Sequence, residues 1–293
     1  MKTYLDCLPC FMSQALKAAR ATTGDEEVHR RVLDAVAGMT PELPLGLTPP
    51  EIAQQVYRLT YQIIGDCDPF RKAKIEANQM ALALYPRLKK VLADSQDPLL
   101  TACKLAVAGN SIDFGPDFYL GNIDDIVETA LSSSLAINDY KRLRDSIANS
   151  GRILYLGDNA GEIVFDRLLI EELRCAGEAE ITFVVRESPI INDATIDDAL
   201  AIGMDRIARV VSNGSDAPAT ILSQCSPEML GLYHSADVII SKGQGNYESL
   251  EGETGNIFFL LMVKCPVVAR LFGANVGDAI LKYKKQKMKN GRK

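Results

Sequence analysis

The chain has 293 residues, enough for one large α/β domain or two smaller ones, and its 47% hydrophobic and 24% charged residues are those of an ordinary globular protein. Net charge is −6, and Lys282–Lys293 hold seven Lys or Arg and no acid, so residues 1–281 carry −13 and lack the basic face of a nucleic-acid enzyme. The longest apolar run, Ile257–Val263, cannot span a bilayer, and Met1–Asp6 has no apolar signal core; the reading is a cytoplasmic protein with neither membrane nor nucleic-acid partners.

The first half reads as helical. Leu8–Arg20, His29–Met39, Pro50–Ile64, Arg71–Leu92 and Pro98–Val107 carry apolar residues at three- and four-residue spacing. Thr48-Pro49-Pro50-Glu51 is a helix start, with threonine near the cap and proline in the first turn. Cys7 and Cys10 form the one CxxC among seven scattered cysteines, a pattern of reduced thiols rather than of a disulfide framework. Cys67, in the turn-like Gly65-Asp66-Cys67-Asp68-Pro69, could join them in a thiol cluster for metal or redox chemistry; the plainer alternative is three small core residues.

Beyond residue 150 the rhythm alternates. Apolar runs at Arg152–Leu156, Ile181–Val185, Ala208–Val211, Val238–Ser241 and Phe258–Lys264 are separated by helical stretches at Glu162–Cys175, Thr195–Ile202, Pro218–His234 and Asn246–Glu251. Alternation at this spacing predicts an α/β fold with a mostly parallel sheet. The expected architecture is a helical cap domain, 1–150, on a Rossmann-like three-layer α/β/α core, 151–293, which ends in a basic tail read as a helix end dissolving into solvent.

In such a sheet, ligands bind beyond the carboxyl ends of the strands. Those ends read Gly157-Asp158-Asn159, Arg186-Glu187-Ser188, Ser212-Asn213-Gly214-Ser215-Asp216 and Ser241-Lys242-Gly243, and the second loop continues to Asn192-Asp193-Ala194-Thr195. Taken singly, Asp158-Asn159 and Asn192-Asp193 are ordinary helix caps, Glu162 complements a helix dipole and Lys242 is a loop lysine. Converging on one edge, they make an oxygen-rich seat for a hard cation with a cationic partner for phosphate. No GxxxxGK[ST] loop exists, and Asn159 stands where a dinucleotide fingerprint needs its second glycine. With only His29 and His234 present, manganese, magnesium, cobalt or nickel suits the site better than a histidine-bound zinc.

Six motifs occur in order: Cys7-Leu8-Pro9-Cys10, Asp68-Pro69-Phe70, Gly109-Asn110-Ser111-Ile112-Asp113, Gly157-Asp158-Asn159-Ala160-Gly161-Glu162, Ile191-Asn192-Asp193-Ala194-Thr195 and Lys242-Gly243-Gln244-Gly245-Asn246-Tyr247. From about residue 5 to 275 the set resembles the metal-dependent damage-control phosphatase family, long catalogued as a domain of unknown function, and the CxxC start looks like its compact prokaryotic branch. The resemblance implies a divalent metal on Asp158, Asn159 and Asp193, and a small phosphorylated metabolite as substrate. It also implies Lys242 on the phosphate, Asn246 supporting that loop, and Asn110 and Asp113 closing the site from the helical half. Arg186, on the same edge, joins the substrate-binding group.

The chemistry expected is phosphomonoester hydrolysis by metal-activated water, with Lys242 taking up transition-state charge and Glu162 or Asp166 orienting the water. A route through a phosphorylated Asp158 lacks the usual second aspartate, for which Ala160 stands. Two rivals remain: an S-adenosylmethionine-dependent carboxyl methyltransferase, opposed by Asp158-Asn159 in the cofactor loop, and a non-catalytic or redox module built on the CxxC, which lacks a βαβ context.

Overall fold

The structure, a computed structural model, describes residues 1–110, 123–132 and 134–284. Three helices open it: α1 (Cys7–Thr22), α2 (Glu26–Met39) and α3 (Pro49–Ile64). Asp25 caps α2 by accepting from the Glu27 amide, and Thr48 and Glu51 close a reciprocal capping box on α3. Gly65, with a φ of 72°, stops α3 in the left-handed conformation. Phe11 and Ala15 of α1, Val32 and Val36 of α2, and Ile52 and Val56 of α3 bury their stripes against one another, with Ile190 from the α/β region completing this small core.

Next come α4 (Arg71–Ala93), α5 (Pro98–Gly109), α6 (Ile123–Ser132), β1 (Ile137–Asn138) and α7 (Tyr140–Ile147). The α/β run follows as β2 (Arg152–Leu156), α8 (Glu162–Ala176), β3 (Glu180–Val185), α9 (Ile196–Ala201), β4 (Arg209–Ser212) and α10 (Pro227–Ser235). It continues through β5 (Val238–Lys242), α11 (Gly243–Leu250), β6 (Ile257–Met262), α12 (Pro266–Phe272) and β7 (Ala279–Lys284). The described strands form one sheet of order β1-β7-β6-β5-β2-β3-β4, parallel at every pairing except β6 with β7.

Successive strand residues serve opposite layers. Ile153 and Tyr155 pack with α4, α5 and α8, whereas Leu154 and Leu156 pack with α10, α11 and α12. Because both faces are covered, the central strands are continuous apolar runs instead of alternating ones. The chain steps outward from β2 to β3 and β4, then returns to lay β5 on the other side of β2. The β2–β5 boundary is therefore the topological switch point, where ligands of such sheets sit.

Three expectations need correction. The change at residue 150 is one of sequence rhythm and not of packing: α4 and α5 share the main core with α8, and β1 joins the sheet beside β7. Among the described residues, α1–α3 form a core largely their own. The stretch Pro218–His234 is α-helical only from Pro227, after a 3-10 turn at Leu222–Gln224, because Ala219 takes a φ of 66°, outside the right-handed helical region. The basic tail begins as strand and not as helix, since Lys282 and Lys284 lie in β7 and pair antiparallel with Phe259 and Ile257; residues 285–293 lie outside the described residues.

Candidate active site

The carboxyl ends of β2 and β3 carry two loops that pair with each other. The Ala160 amide donates to the Asn192 carbonyl at 2.9 Å and the Ala194 amide to the Asp158 carbonyl at 2.8 Å, so Asn159 and Asp193 face one another across an antiparallel bridge. On the β5 side, Gly243 has a φ of 78°, and a Cβ there would run into the Asp158 carboxylate. The β5–α11 turn thus rests its backbone directly on Asp158, which only glycine permits. Asn246, fully buried, fastens the edge: it accepts from the Thr220 amide at 2.8 Å and donates to the carbonyls of Gly157 and Lys242 at 3.1 and 2.8 Å.

Two layers of charge stack at this point. The inner layer is closed. Lys242, with no exposure, donates to Glu162 Oε1 at 2.5 Å, Asp166 Oδ1 at 2.7 Å and the Ala106 carbonyl at 2.9 Å, which uses all three ammonium protons. Tyr155 donates its hydroxyl to Asp166 at 2.7 Å. The second oxygen of Glu162 accepts from Asn110 at 2.7 Å and from Asn159 at 3.1 Å. Burial works against ionisation of Glu162, but Lys242 and then Lys264 hold its carboxyl below the usual range. Asp166 is pushed up to about 6 by burial and by the Glu162 charge, against the pull of Lys242. Burial works against the Lys242 ammonium as well, but Asp166 and Glu162 outweigh it and raise its pKa.

The outer layer is open. Asp158 Oδ2 accepts from Asn110 at 3.0 Å and from Asn159 at 2.9 Å. Asp193 Oδ2 accepts from Arg186 Nε at 2.7 Å and from the Ala219 amide at 3.3 Å. Among the described residues, the other oxygen of each carboxylate and the Asn159 amide oxygen accept no hydrogen bond. Arg186 is fully buried, its Nη2 lies 3.6 Å from Asp158 Oδ1, and among the described residues both terminal nitrogens lack a hydrogen-bond partner. Asp158 is pushed up to about 7, first by burial and then by Glu162 and Asp193, with Lys264 and Arg186 pulling the other way.

The donor chemistry fits a hard divalent ion: two carboxylate oxygens and one amide oxygen, all free of donors, from two loops locked together by the Asn159–Asp193 bridge. Among the described residues no group of three His, Cys, Asp or Glu side chains is placed to hold a metal, and the Asn159 amide oxygen is the further hard donor beside the two carboxylates.

The family model of the damage-control phosphatase ARMT1-like domain matches residues 3–280. The chain belongs to that family. A damage-control phosphatase of Pyrococcus horikoshii is 35% identical over 272 residues, covering 92% of this chain and 94% of that protein. One from Archaeoglobus fulgidus is 35% identical over 285 residues, covering 94% and 97%. The crystal structure of the Pyrococcus horikoshii member superposes with a TM-score of 0.91 at 33% identity, covering 97% of this chain and all of that one.

Within this damage-control phosphatase fold, the sequence-derived residues fall into groups. Asp158, Asn159, Asp193 and Arg186 meet at the open layer; Glu162, Lys242 and Asn110 meet directly beneath it; Asn246 is a fastening; Asp113 lies outside the described residues. Lys242 does not face the edge, because its protons are spent on the inner carboxylates and the Ala106 carbonyl. The thiol cluster is not assembled. Cys7 and Cys10 lie on the first turn of α1, where burial raises both thiols and the third thiol near them is Cys265, while Cys67 is exposed after α3. Sequence reading missed Lys264, exposed just past β6, whose charge is felt at Asp158 and Glu162. A lysine directly after the most apolar strand was the available signal.

Proposed function

We propose that this chain is a phosphatase hydrolysing phosphate monoesters of small metabolites with the help of a divalent metal ion. The family and the names of its relatives support phosphatase chemistry. The observation that carries the reading is Arg186: a buried guanidinium with two unpartnered nitrogens, aimed at a pair of carboxylates with unused oxygens. A buried cation without full pairing is costly unless an anion completes it, and its fork matches phosphate oxygens. A phosphate there needs further positive charge to offset the two carboxylates, which a divalent metal would supply.

In this reading Asp158, Asn159 and Asp193 would hold the ion, which would supply positive charge for the phosphoryl group and acidify a bound water at neutral pH. Arg186 orients the phosphoryl group, and its charge grows in worth as negative charge gathers in the transition state. Lys264, whose charge is felt at Asp158 and Glu162, adds positive charge for the same group. The starts of α8 and α11 face this edge, and their dipoles favour the anion. Glu162 and Asn110 hold Asp158 and Asn159 in place, since both Glu162 oxygens are already hydrogen-bonded. The helical half contributes through Asn110, so closure of the site depends on α5 as well as on the sheet.

The test is hydrolysis of p-nitrophenyl phosphate by chelator-stripped protein with manganese, magnesium, cobalt or nickel restored singly, beside Asp158→Ala. Turnover restored by metal in the wild type and absent from the variant is expected. Turnover that ignores the chelator, or survives in Asp158→Ala, sinks the metal-dependent reading.

A further inference from the structure

A cleft of 620 Å³ opens between α4 and α9, lined at its base by Lys74, Asn78 and Asp198 and at its mouth by Ile75 and Leu82. None of Asp158, Asn159, Asp193 or Arg186 lines it, so it is separate from the phosphate edge. Its volume is that of a small-molecule site.

The polar groups at its base are incompletely matched. Lys74 is 3% exposed, and its ammonium stands 3.3 Å from Asp68 Oδ2 and 3.6 Å from Asp198 Oδ2. Both separations exceed the roughly 2.7–2.9 Å of a well-formed charge-assisted bond. Asp198 is largely committed elsewhere, because Oδ2 already accepts from the Thr195 amide and hydroxyl at 2.9 Å each and Oδ1 from Asn78 at 3.0 Å. The other oxygen of Asp68 is buried and, among the described residues, accepts nothing. A lysine with unused protons and an aspartate whose side chain is 18% exposed therefore stand side by side in one cleft.

The ligand class follows from charge. Four acids, Asp68, Glu187, Asp197 and Asp198, line the cleft against two bases, Arg71 and Lys74. That excess repels phosphate, and an ammonium at the base repels a metal cation. A hydroxyl group, which both donates and accepts, satisfies Asp68 and Lys74 at once. Ile75 and Leu82 offer an apolar wall to the carbon face of a ring or chain.

We propose that the α4–α9 cleft is a second binding site that takes a small neutral polyol or sugar, held through its hydroxyls by Lys74 and Asp68. The site adjoins the catalytic edge through Asn78, whose amide oxygen accepts from the Gly161 amide at 2.7 Å, directly before α8. The assignment goes beyond the phosphatase reading and stands without it.

Saturation-transfer NMR with unphosphorylated D-ribose, D-fructose and myo-inositol tests this on the full chain. At least one probe is expected to bind the wild type and Asp158→Ala equally. Asp68→Asn is expected to weaken it about tenfold, the worth of one hydrogen bond to a charged group. Ile75→Trp, at a position 47% exposed, fills the mouth without touching the polar base and is expected to abolish binding even if the Asp68 variant folds poorly. Absence of binding by all three probes overturns the proposal. So does binding that Asp158→Ala removes, or binding that Ile75→Trp leaves intact.

Discussion

The inner and outer charge layers differ in one respect that organises the molecule. Around Lys242 each ammonium proton has an acceptor, and the carboxylates it neutralises are sealed from solvent. Around Arg186 one nitrogen is bound and two are not, and two carboxylates keep oxygens in reserve. Both layers are held by the same strand ends, and Asn110 and Asn159 bridge them by donating to Asp158 above and Glu162 below. A satisfied buried network specifies geometry; an unsatisfied one retains binding energy for a ligand. The inner layer is thus the template on which the outer layer is kept incomplete.

Breaking the inner layer gives the largest effect. Lys242→Met leaves Glu162 and Asp166 buried without their cation and is expected to destabilise the fold by about 3–5 kcal/mol, measured by urea unfolding. A folded variant of near-normal stability with a raised KM would instead make Lys242 a substrate ligand. In the outer layer, Arg186→Met is expected to lower kcat/KM by about 10²–10³, the range found when a transition-state donor is removed. A smaller loss, confined to stability, would reduce Arg186 to a partner of Asp193. Lys264→Ala should be milder. An exposed lysine that meets phosphate contributes about 1–2 kcal/mol, so KM is expected to rise about tenfold with kcat nearly unchanged. No change in KM would leave the phosphate to Arg186 and the helix starts.

The legibility of the two layers in the sequence also differs. Asp158, Asn159 and Asp193 were visible because each follows an apolar strand and precedes a helix, and a parallel sheet gathers strand ends at one edge. The division of labour between lysines was not. Lys242 and Lys264 both follow apolar strands, and which one is swallowed depends on α5 and α8 closing over β5, a matter of layer packing at long sequence separation. The same limit explains β1 and β7. Two residues at Ile137–Asn138 carry no period to detect, and β7 is rich in lysine because it lies toward the far edge of the sheet. On α4, Lys74 and Asn78 interrupt the buried face four residues apart, which is the one local sign that this helix carries polar business inward.

The smallest effect sharpens the comparison by using a carboxyl outside both layers. Glu248, on α11, is pushed up to about 7 by burial alone, with the Gln244 amide and the amino terminus opposing. At Asp158 a rise to the same value draws on like charges as well as burial. A carboxyl whose folded pKa is raised stabilises the fold below its unfolded value, near 4.5, and loses that contribution as pH climbs through about 7. Wild-type protein should therefore become less stable between pH 5 and pH 8. Glu248→Gln removes the ionisable group but keeps an acceptor for Gln244, so it should match the wild type at pH 5 and exceed it by about 1–2 kcal/mol at pH 8. Urea unfolding of both proteins at the two pH values reads this directly. A variant that gains nothing at pH 8 would mean that burial by itself is too weak to shift a carboxyl in this fold, and the raised Asp158 would then have to be charged to its acidic neighbours.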